Sequence, residues 1–277
     1  MKAFCTFGIL ALAGIATAYG TQQDEAKDSC CSTTAASSPI PFNYLQPAPL
    51  PAGVVAGKVT GRIVFDGEVP KAEPLKITDA QAKGCTDEGA KVNAESRKLI
   101  VGADKGVQNV VVTIEVKDAK VKVGEETIKV DQTQCRFEPH IMIIPVGSTV
   151  EYVNSDKVSH NVHTFGTKNK AFNNTIPAGA SQKQKLDKAE AVQIKCDIHP
   201  WMGAYLFVAD TNHADMTDAK GAFEIAGLPP GEYAIKVWHE SLGKAKATVT
   251  VKADGTAEPV EIKMAAKAKK SGRRRRK

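Results

Sequence analysis

The chain has 277 residues, of which 42% are hydrophobic and 25% are charged, and its formal net charge is +6. Eight positive charges fall in residues 267–277, so removing them from the total leaves the rest of the chain at −2. With this distribution and no recognition motif, nucleic acid is not an expected partner. The basic tail, residues 265–277, is predicted to be a solvated segment that aids solubility, and the alternative is contact with an acidic surface.

The N-terminus has the pattern of an export signal. Met1-Lys2 precedes an apolar run, and Ala16-Thr17-Ala18 is typical of a cleavage site. We therefore predict a signal peptide in residues 1–18 and a periplasmic or extracellular location. The run is too short to span a bilayer, and no other stretch is long and apolar enough, so a membrane-spanning segment is not expected. Residues 19–55, rich in Pro, Ser and Thr, are predicted to form a linker.

After Gly57 the sequence indicates β-structure. Short runs of Val, Ile, Thr and Tyr alternate with turn residues such as Asp66-Gly67, and no stretch has a sustained helical period. Residues 80–96 are the least regular part, where a short helix or a loop is expected. Many short strands with regular turns predict an all-β protein built from β-sandwiches. The predicted strands span residues 58–65, 107–116, 141–144, 150–154, 160–165, 192–196, 205–208, 223–225, 233–239 and 247–251.

One short stretch combines three potential metal ligands. Cys196, His199 and Met202 place a thiol, an imidazole and a thioether within seven residues. On the strand before them, Val192, Ile194 and Cys196 alternate with polar residues, so the cysteine is predicted to point inward. With a second imidazole, these groups make the ligand set of a blue-copper electron-transfer site.

Strand alternation selects the second histidine. His160 shares its side of the predicted strand with Val158 and Val162, whereas His163 lies on the opposite side. If the two valines face the core, so does His160. We therefore predict His160 as the ligand and place His163 at the surface or beside the site.

The segment from about Val123 to Ala209 resembles the cupredoxins, in particular the plastocyanin and amicyanin type. Phe137-Glu138-Pro139 matches the early strand of that family, and Gly147 to Asn154 matches its Gly-x-x-Val-x-x-x-Asn pattern. His160-Asn161-Val162 matches the first ligand motif, and Cys196 to Met202 matches the short ligand loop. The resemblance implies a Greek-key β-sandwich that holds one type 1 copper. The implied ligands are His160, Cys196, His199 and Met202, and the implied residue tying the ligand loops together is Asn161.

The residues beside His199 suggest where electrons enter. Pro200 and Trp201 are expected to form an apolar rim around an exposed edge of the His199 ring, although ordinary core packing is an equal alternative for Trp201. The expected partner is a redox protein such as a cytochrome c or an oxidoreductase. The acidic residues after residue 209 are scattered and form no acid–base pair, so the chain is not expected to be an enzyme.

Two further cysteines suggest a covalent link. In an oxidising compartment, Cys85 and Cys135 are expected to form a disulfide that ties the irregular segment to the copper domain. The alternative is a free, buried Cys135, since this residue shares the inward side of its strand with Phe137.

The flanks of the copper segment resemble the two halves of one domain. Residues 217–233 are similar to the second half of carboxypeptidase-regulatory-like and fibronectin-like domains, and Gly57 to Gly61 with Asn109 to Val112 is similar to the first half. Because neither flank alone has enough strands to close a sandwich, we predict one discontinuous Ig/transthyretin-like sandwich, residues 56–118 plus 210–264. The cupredoxin domain, residues 119–209, is then an insertion.

Three functions are compatible with the sequence. The favoured one is an exported type 1 copper protein that carries single electrons. The alternatives are an extracellular copper carrier and a binding or scaffold module, for example one that binds carbohydrate, in which the cupredoxin fold has no redox role.

Overall fold

The computed structural model describes residues 45, 47, 49–87, 90–117, 119, 121–123 and 127–266. They belong to one compact unit, residues 39–277. The predicted signal peptide, most of the predicted linker and the charged part of the basic tail lie outside the described residues. Within the described part of the chain, helices long and apolar enough to cross a membrane are not found.

The expected all-β architecture is confirmed. The described residues contain sixteen strands and one four-residue helix, α1 (Asp79–Ala82). The first eight strands are β1 (Gly57–Asp66), β2 (Val111–Ile114), β3 (Ile128–Thr133), β4 (Arg136–Glu138), β5 (Ile141–Pro145), β6 (Ser148–Asn154), β7 (His160–Phe165) and β8 (Asn173–Ile176). The others are β9 (Ser181–Leu186), β10 (Glu190–Lys195), β11 (Gly203–Ala209), β12 (His213–Met216), β13 (Ala222–Leu228), β14 (Gly231–His239), β15 (Gly243–Val251) and β16 (Val260–Ala265).

Two sheets from the middle of the chain enclose one hydrophobic core. One has the order β4-β3-β6-β9 and the other has the order β5-β11-β10-β7-β8. Burial alternates strictly along β6, so that Val150 and Tyr152 point into this core while the residues between them are only partly buried. The core also contains Val192 and Ile194 from β10 and Cys196 directly after it, which is the inward set that alternation predicted.

The flanking segments pair with each other across this middle part. Strand β1 is antiparallel to β13 and parallel to β16. Strand β2 pairs with β12 and β14, and β15 completes that sheet. The two sheets share a core that includes Val59, Ile63, Ile114, Phe223 and Ile235. The predicted insertion requires pairing of this kind, because strands that precede the middle part and strands that follow it complete the same sheets.

A third group of apolar residues lies between the two sandwiches. Ile141 and Ile143 from β5 pack with Val111 from β2 in one buried cluster. Beside it, the ring of Trp238 lies 5.2 Å from that of Tyr205 and 5.6 Å from that of Phe207. The contact between the sandwiches is therefore apolar at its centre.

The irregular segment before β2 contains the expected short helix. Thr78 caps α1 through a capping box with Gln81, in which each side chain contacts the backbone N–H of the other residue. After the helix, Cys85 forms a disulfide with Cys135, and their Cα atoms are 5.1 Å apart. This link attaches the segment to the turn between β3 and β4.

Candidate metal centre

The predicted ligands lie at the ends of neighbouring strands. His160 is the first residue of β7, and Cys196 directly follows β10, which pairs with β7. The loop after Cys196 is tight, because the N–H of Met202 donates to the carbonyl of His199 at 2.9 Å and the N–H of Cys196 donates to the carbonyl of Met202 at 3.4 Å. This folding brings residues from two distant segments to one end of the sandwich.

Three of the predicted ligands converge. The Nδ1 atoms of His160 and His199 are 2.9 Å apart, and Sγ of Cys196 lies 3.8 Å from Nδ1 of His199. One potential ligand atom from each of the three residues lies within 4.8 Å of the other two. All three residues are buried, so the donors face a space that excludes bulk water.

The fourth predicted ligand, Met202, is buried beside them. It is 1% exposed and belongs to the same core as Cys196. Its backbone closes the ligand loop, as described above, and its thioether belongs to the soft donors that a copper site uses.

Asp156 orients His160, and sequence reasoning missed it. The Nε2–H group of His160 donates to the Asp156 carboxylate at 2.8 Å. A carboxylate only accepts hydrogen bonds, so Nε2 carries a proton, and Nδ1 is the nitrogen that faces His199. The signal available in the sequence was an acidic residue four positions before the ligand, which is too common to single out.

The charges in the site favour a thiolate beside an imidazole. Burial acts to lower the pKa of His160, but hydrogen bonds to Asp156 and Cys196 outweigh it and raise the pKa. Burial likewise acts to raise the pKa of Cys196, but hydrogen bonds from His160 and from backbone N–H groups outweigh it and lower the pKa. The thiolate is the form that binds metal.

Asn161 connects the two ligand segments. Its Oδ1 atom accepts the N–H of Asp197 at 2.6 Å, and its Nδ2 donates to the Asp197 carboxylate at 3.0 Å and to Oδ1 of Asn173 at 2.8 Å. The structure thus places this side chain between the start of β7 and the loop that begins at Cys196.

His163 lies outside the converging group. Its side chain is 31% exposed, and its Nδ1 is 3.1 Å from the Asp197 carboxylate. Its ring packs on Phe165, with centroids 4.0 Å apart. Of the two histidines on β7, His160 is therefore buried within the ligand group and His163 is partly exposed outside it.

The outer edge of His199 is covered. Sequence reasoning expected an exposed edge, whereas the structure leaves only 6% of this residue exposed. Its Nε2 atom lies 3.9 Å from Sγ of Cys135, and its ring centroid is 5.1 Å from that of Trp201. Trp201 is half-buried and donates its Nε1–H to the carbonyl of Cys135 at 3.0 Å, while Pro200 is exposed.

The donor set fits copper. Thiolate and thioether suit Cu(I), imidazole suits both Cu(I) and Cu(II), and the combination of two imidazoles, one thiolate and one thioether is the type 1 set. The residues that would hold the ion are His160, Cys196 and His199, with the thioether of Met202 as a fourth donor.

Comparison with known proteins also finds a similarity to copper-binding proteins in the segment that contains these ligands. The family model described as copper binding proteins, plastocyanin/azurin family, matches residues 124–209. No curated protein sequence matches the chain.

Solved cupredoxin structures are similar over about a third of the chain. A purple cupredoxin from Nitrosopumilus maritimus is 22% identical with a TM-score of 0.27, and the match covers 30% of this chain and 99% of that one. A Cu(I) structure of an amicyanin variant is 22% identical with a TM-score of 0.28, and the match covers 35% of this chain and 98% of that one. A copper-containing nitrite reductase from Thermus scotoductus SA-01 is 23% identical with a TM-score of 0.29, and the match covers 35% of this chain and 25% of that one.

With its ligand types in order and its strands forming two packed sheets, the segment of residues 124–209 matches the copper-binding proteins of the plastocyanin/azurin family and lies within a longer β-rich chain.

Proposed function

We propose that the protein is an exported type 1 copper protein that carries single electrons. The observation that carries this proposal is the buried convergence of His160, Cys196 and His199, with Met202 closing the same loop. When bound, copper supplies the one-electron chemistry. The protein supplies a fixed set of donors that suits both oxidation states, which keeps rearrangement during electron exchange small.

The chain's own residues hold these donors in place. Asp156 holds the proton on Nε2 of His160, Asn161 links the two ligand segments, and the β-sandwich surrounds the thiol of Cys196 with apolar side chains. Residues around a metal ligand of this kind orient it and adjust its basicity.

We also propose that the protein is not an enzyme. A catalytic metal site keeps a coordination position open to substrate. Here the three converging ligands are all buried, and this supports a site in which electrons, not substrates, reach the metal.

The proposed partner is another redox protein, such as a cytochrome c or an oxidoreductase. Pro200 and Trp201 are the candidates for the docking position, since Pro200 is exposed and Trp201 contacts the ring of His199. Export is supported by the predicted signal in residues 1–18 and by the disulfide, because disulfides persist in oxidising compartments.

Visible and EPR spectra of the copper-loaded protein test the function. We expect intense thiolate-to-copper absorption that bleaches with one electron equivalent of reductant. Cys196→Ser should abolish the absorption, because it removes the thiolate. His163→Ala is the matched control and should keep it, since His163 lies outside the ligand group. A colourless copper complex of the wild-type protein would reject electron transfer and favour the copper-carrier alternative.

A further inference from the structure

A short segment lies over one side of the metal site, and we name it the cap segment (residues 75–87 and 90–95). Its two ends are joined by a hydrogen bond from the N–H of Leu75 to the carbonyl of Ala94 at 2.7 Å. It contributes Cys85 and Val92 to the core that also contains Cys196. At the surface, Asp87 pairs with Lys157 at 2.8 Å, beside the strand that begins with His160.

The disulfide joins the cap segment to a constrained turn. Gln134 and Cys135 both have a positive φ, 52° and 50°. Both of their N–H groups donate to the carboxylate of Asp156, at 2.6 and 2.8 Å. The same carboxylate accepts the Nε2–H of His160, so one acidic side chain connects a copper ligand to the turn that carries the disulfide.

The turn that contains Cys135 places the sulfur atom of this residue beside the outer edge of His199, the second histidine of the ligand group. Sγ of Cys135 is 3.9 Å from Nε2 of His199, and both residues are buried. The indole of Trp201 donates to the carbonyl of Cys135, which holds the ring beside the imidazole. The Nε2 atom of His160 therefore hydrogen-bonds to a carboxylate, whereas Nε2 of His199 lies beside a disulfide sulfur, which is a weak hydrogen-bond acceptor.

We propose that the Cys85–Cys135 disulfide is a positioning element of the metal site, which covers the outer edge of His199 and keeps water and solutes from it. The disulfide holds the cap segment in place, and the sulfur of Cys135 occupies the position where a ligand histidine often meets water. Without the link, the cap segment opens more often and Nε2 of His199 becomes accessible. This role concerns the metal site itself, so it applies whether the bound copper carries electrons or is stored.

Chemical labelling of the metal-free protein tests the proposal. Diethyl pyrocarbonate modifies unprotonated imidazole nitrogens, and mass spectrometry assigns the rate to each histidine. In the wild-type protein we expect rapid labelling of the exposed His163 and slow labelling of His199. In the double variant Cys85→Ala/Cys135→Ala we expect the His199 rate to rise about tenfold or more, because the rate follows the population of the open form. The His163 rate should not change.

A matched control separates the disulfide from a general loosening. Val92→Ala weakens the packing of the same cap segment but leaves both sulfur atoms in place. It should raise the His199 rate far less than the double variant does. Equal rates in wild type and double variant would overturn the proposal, and so would an equal increase in Val92→Ala, because loosening alone would then explain the exposure.

A second measurement uses the copper-loaded protein and does not depend on a redox partner. We expect the double variant to transfer copper to a chelator faster than wild type while retaining its bound-copper spectrum. If the double variant does not fold, Trp201→Ala provides the test, since it removes the neighbouring ring but not the sulfur on Nε2. The His199 rate should then stay within about twofold of wild type, and a full increase would identify Trp201, not the disulfide, as the cover.

Discussion

At the scale of single residues, Asp156 has the widest influence on the metal centre. Its side chain is 8% exposed and accepts hydrogen bonds from His160 and from the two turn residues Gln134 and Cys135. Alternation along a strand selected His160, but it could not find Asp156, because the sequence does not show which backbone groups a turn brings towards a carboxylate. Asp156 became visible only when Gln134 and Cys135, which lie 22 and 21 positions before it, were placed beside its carboxylate.

Replacement of Asp156 should weaken metal binding. Asp156→Asn removes the charge that holds the proton on Nε2 of His160, so we expect the copper affinity to fall about 10–100-fold. Competition with a chelator of known affinity measures it. Asp187→Asn is the control, since Asp187 is exposed and its ion pair is with the exposed Lys185. An unchanged affinity of Asp156→Asn would show that His160 is oriented by the surrounding β-sandwich alone.

At the scale of elements, the loop between β7 and β8 depends on one carboxylate. Glu190, at the start of β10, accepts the N–H groups of Thr167, Lys168 and Asn169 at 2.7, 3.0 and 2.8 Å. Burial acts to raise the pKa of Glu190, but these hydrogen bonds outweigh it and lower the pKa to about 2. A carboxylate thus organises a polar loop that offers few apolar contacts.

A fall in pH should reduce the contribution of this loop to the free energy of unfolding. Because the folded pKa of Glu190 lies below the ordinary value of 4.5, its contribution to the free energy of unfolding is complete above pH 4.5 and is lost as the pH falls towards 2. At pH 7 we expect Glu190→Gln to cost about 1–2 kcal/mol, after a discount for solvent screening. The difference from wild type should shrink towards pH 2, as urea titrations at several pH values will show. Glu258→Gln, at an exposed position, should show no such trend.

Element boundaries show where sequence patterns succeed. The predicted range 160–165 for β7 is the observed one, and most other apolar strands differ only at their ends. The sequence missed six strands, β3, β4, β8, β9, β12 and β16, and all of them except β3 lie at sheet edges. The sequences of β8 and β9, Asn-Asn-Thr-Ile and Ser-Gln-Lys-Gln-Lys-Leu, are also mostly polar. Edge strands are formed by backbone pairing with a neighbour, so their side chains carry little hydrophobic signal.

At the scale of the whole molecule, the two sandwiches meet through an apolar contact that includes the ring of Trp238. Pairing of β1 with β13 and β16, and of β2 with β14, supports the predicted discontinuous domain, residues 56–118 plus 210–264. Those boundaries and the insertion stay predictions. A shared apolar contact of this kind is expected to make the two sandwiches unfold together.

Removal of the Trp238 ring should uncouple them. Trp238→Ala loses the contacts with Tyr205 and Phe207, and because the ring is half-buried we expect a cost of about 2–3 kcal/mol. Calorimetry should then show a broadened or split unfolding transition. Trp238→Phe keeps an aromatic ring and should retain one transition. A single unshifted transition for the alanine variant would place the coupling elsewhere in the contact.

The sequence by itself predicted the chemistry of the metal centre. Residue types, spacing and strand alternation selected Cys196, His199, Met202 and His160, since each choice depends on local geometry or on a motif, and the structure brings His160, Cys196 and His199 together. Only the tertiary structure decided what surrounds them. The disulfide sulfur of Cys135 reaches His199 from a segment 64 positions earlier in the chain, and Asp156, four positions before His160, reaches that histidine through the turn between β6 and β7. Such contacts depend on how loops pack across a sandwich, which no periodicity along one strand encodes.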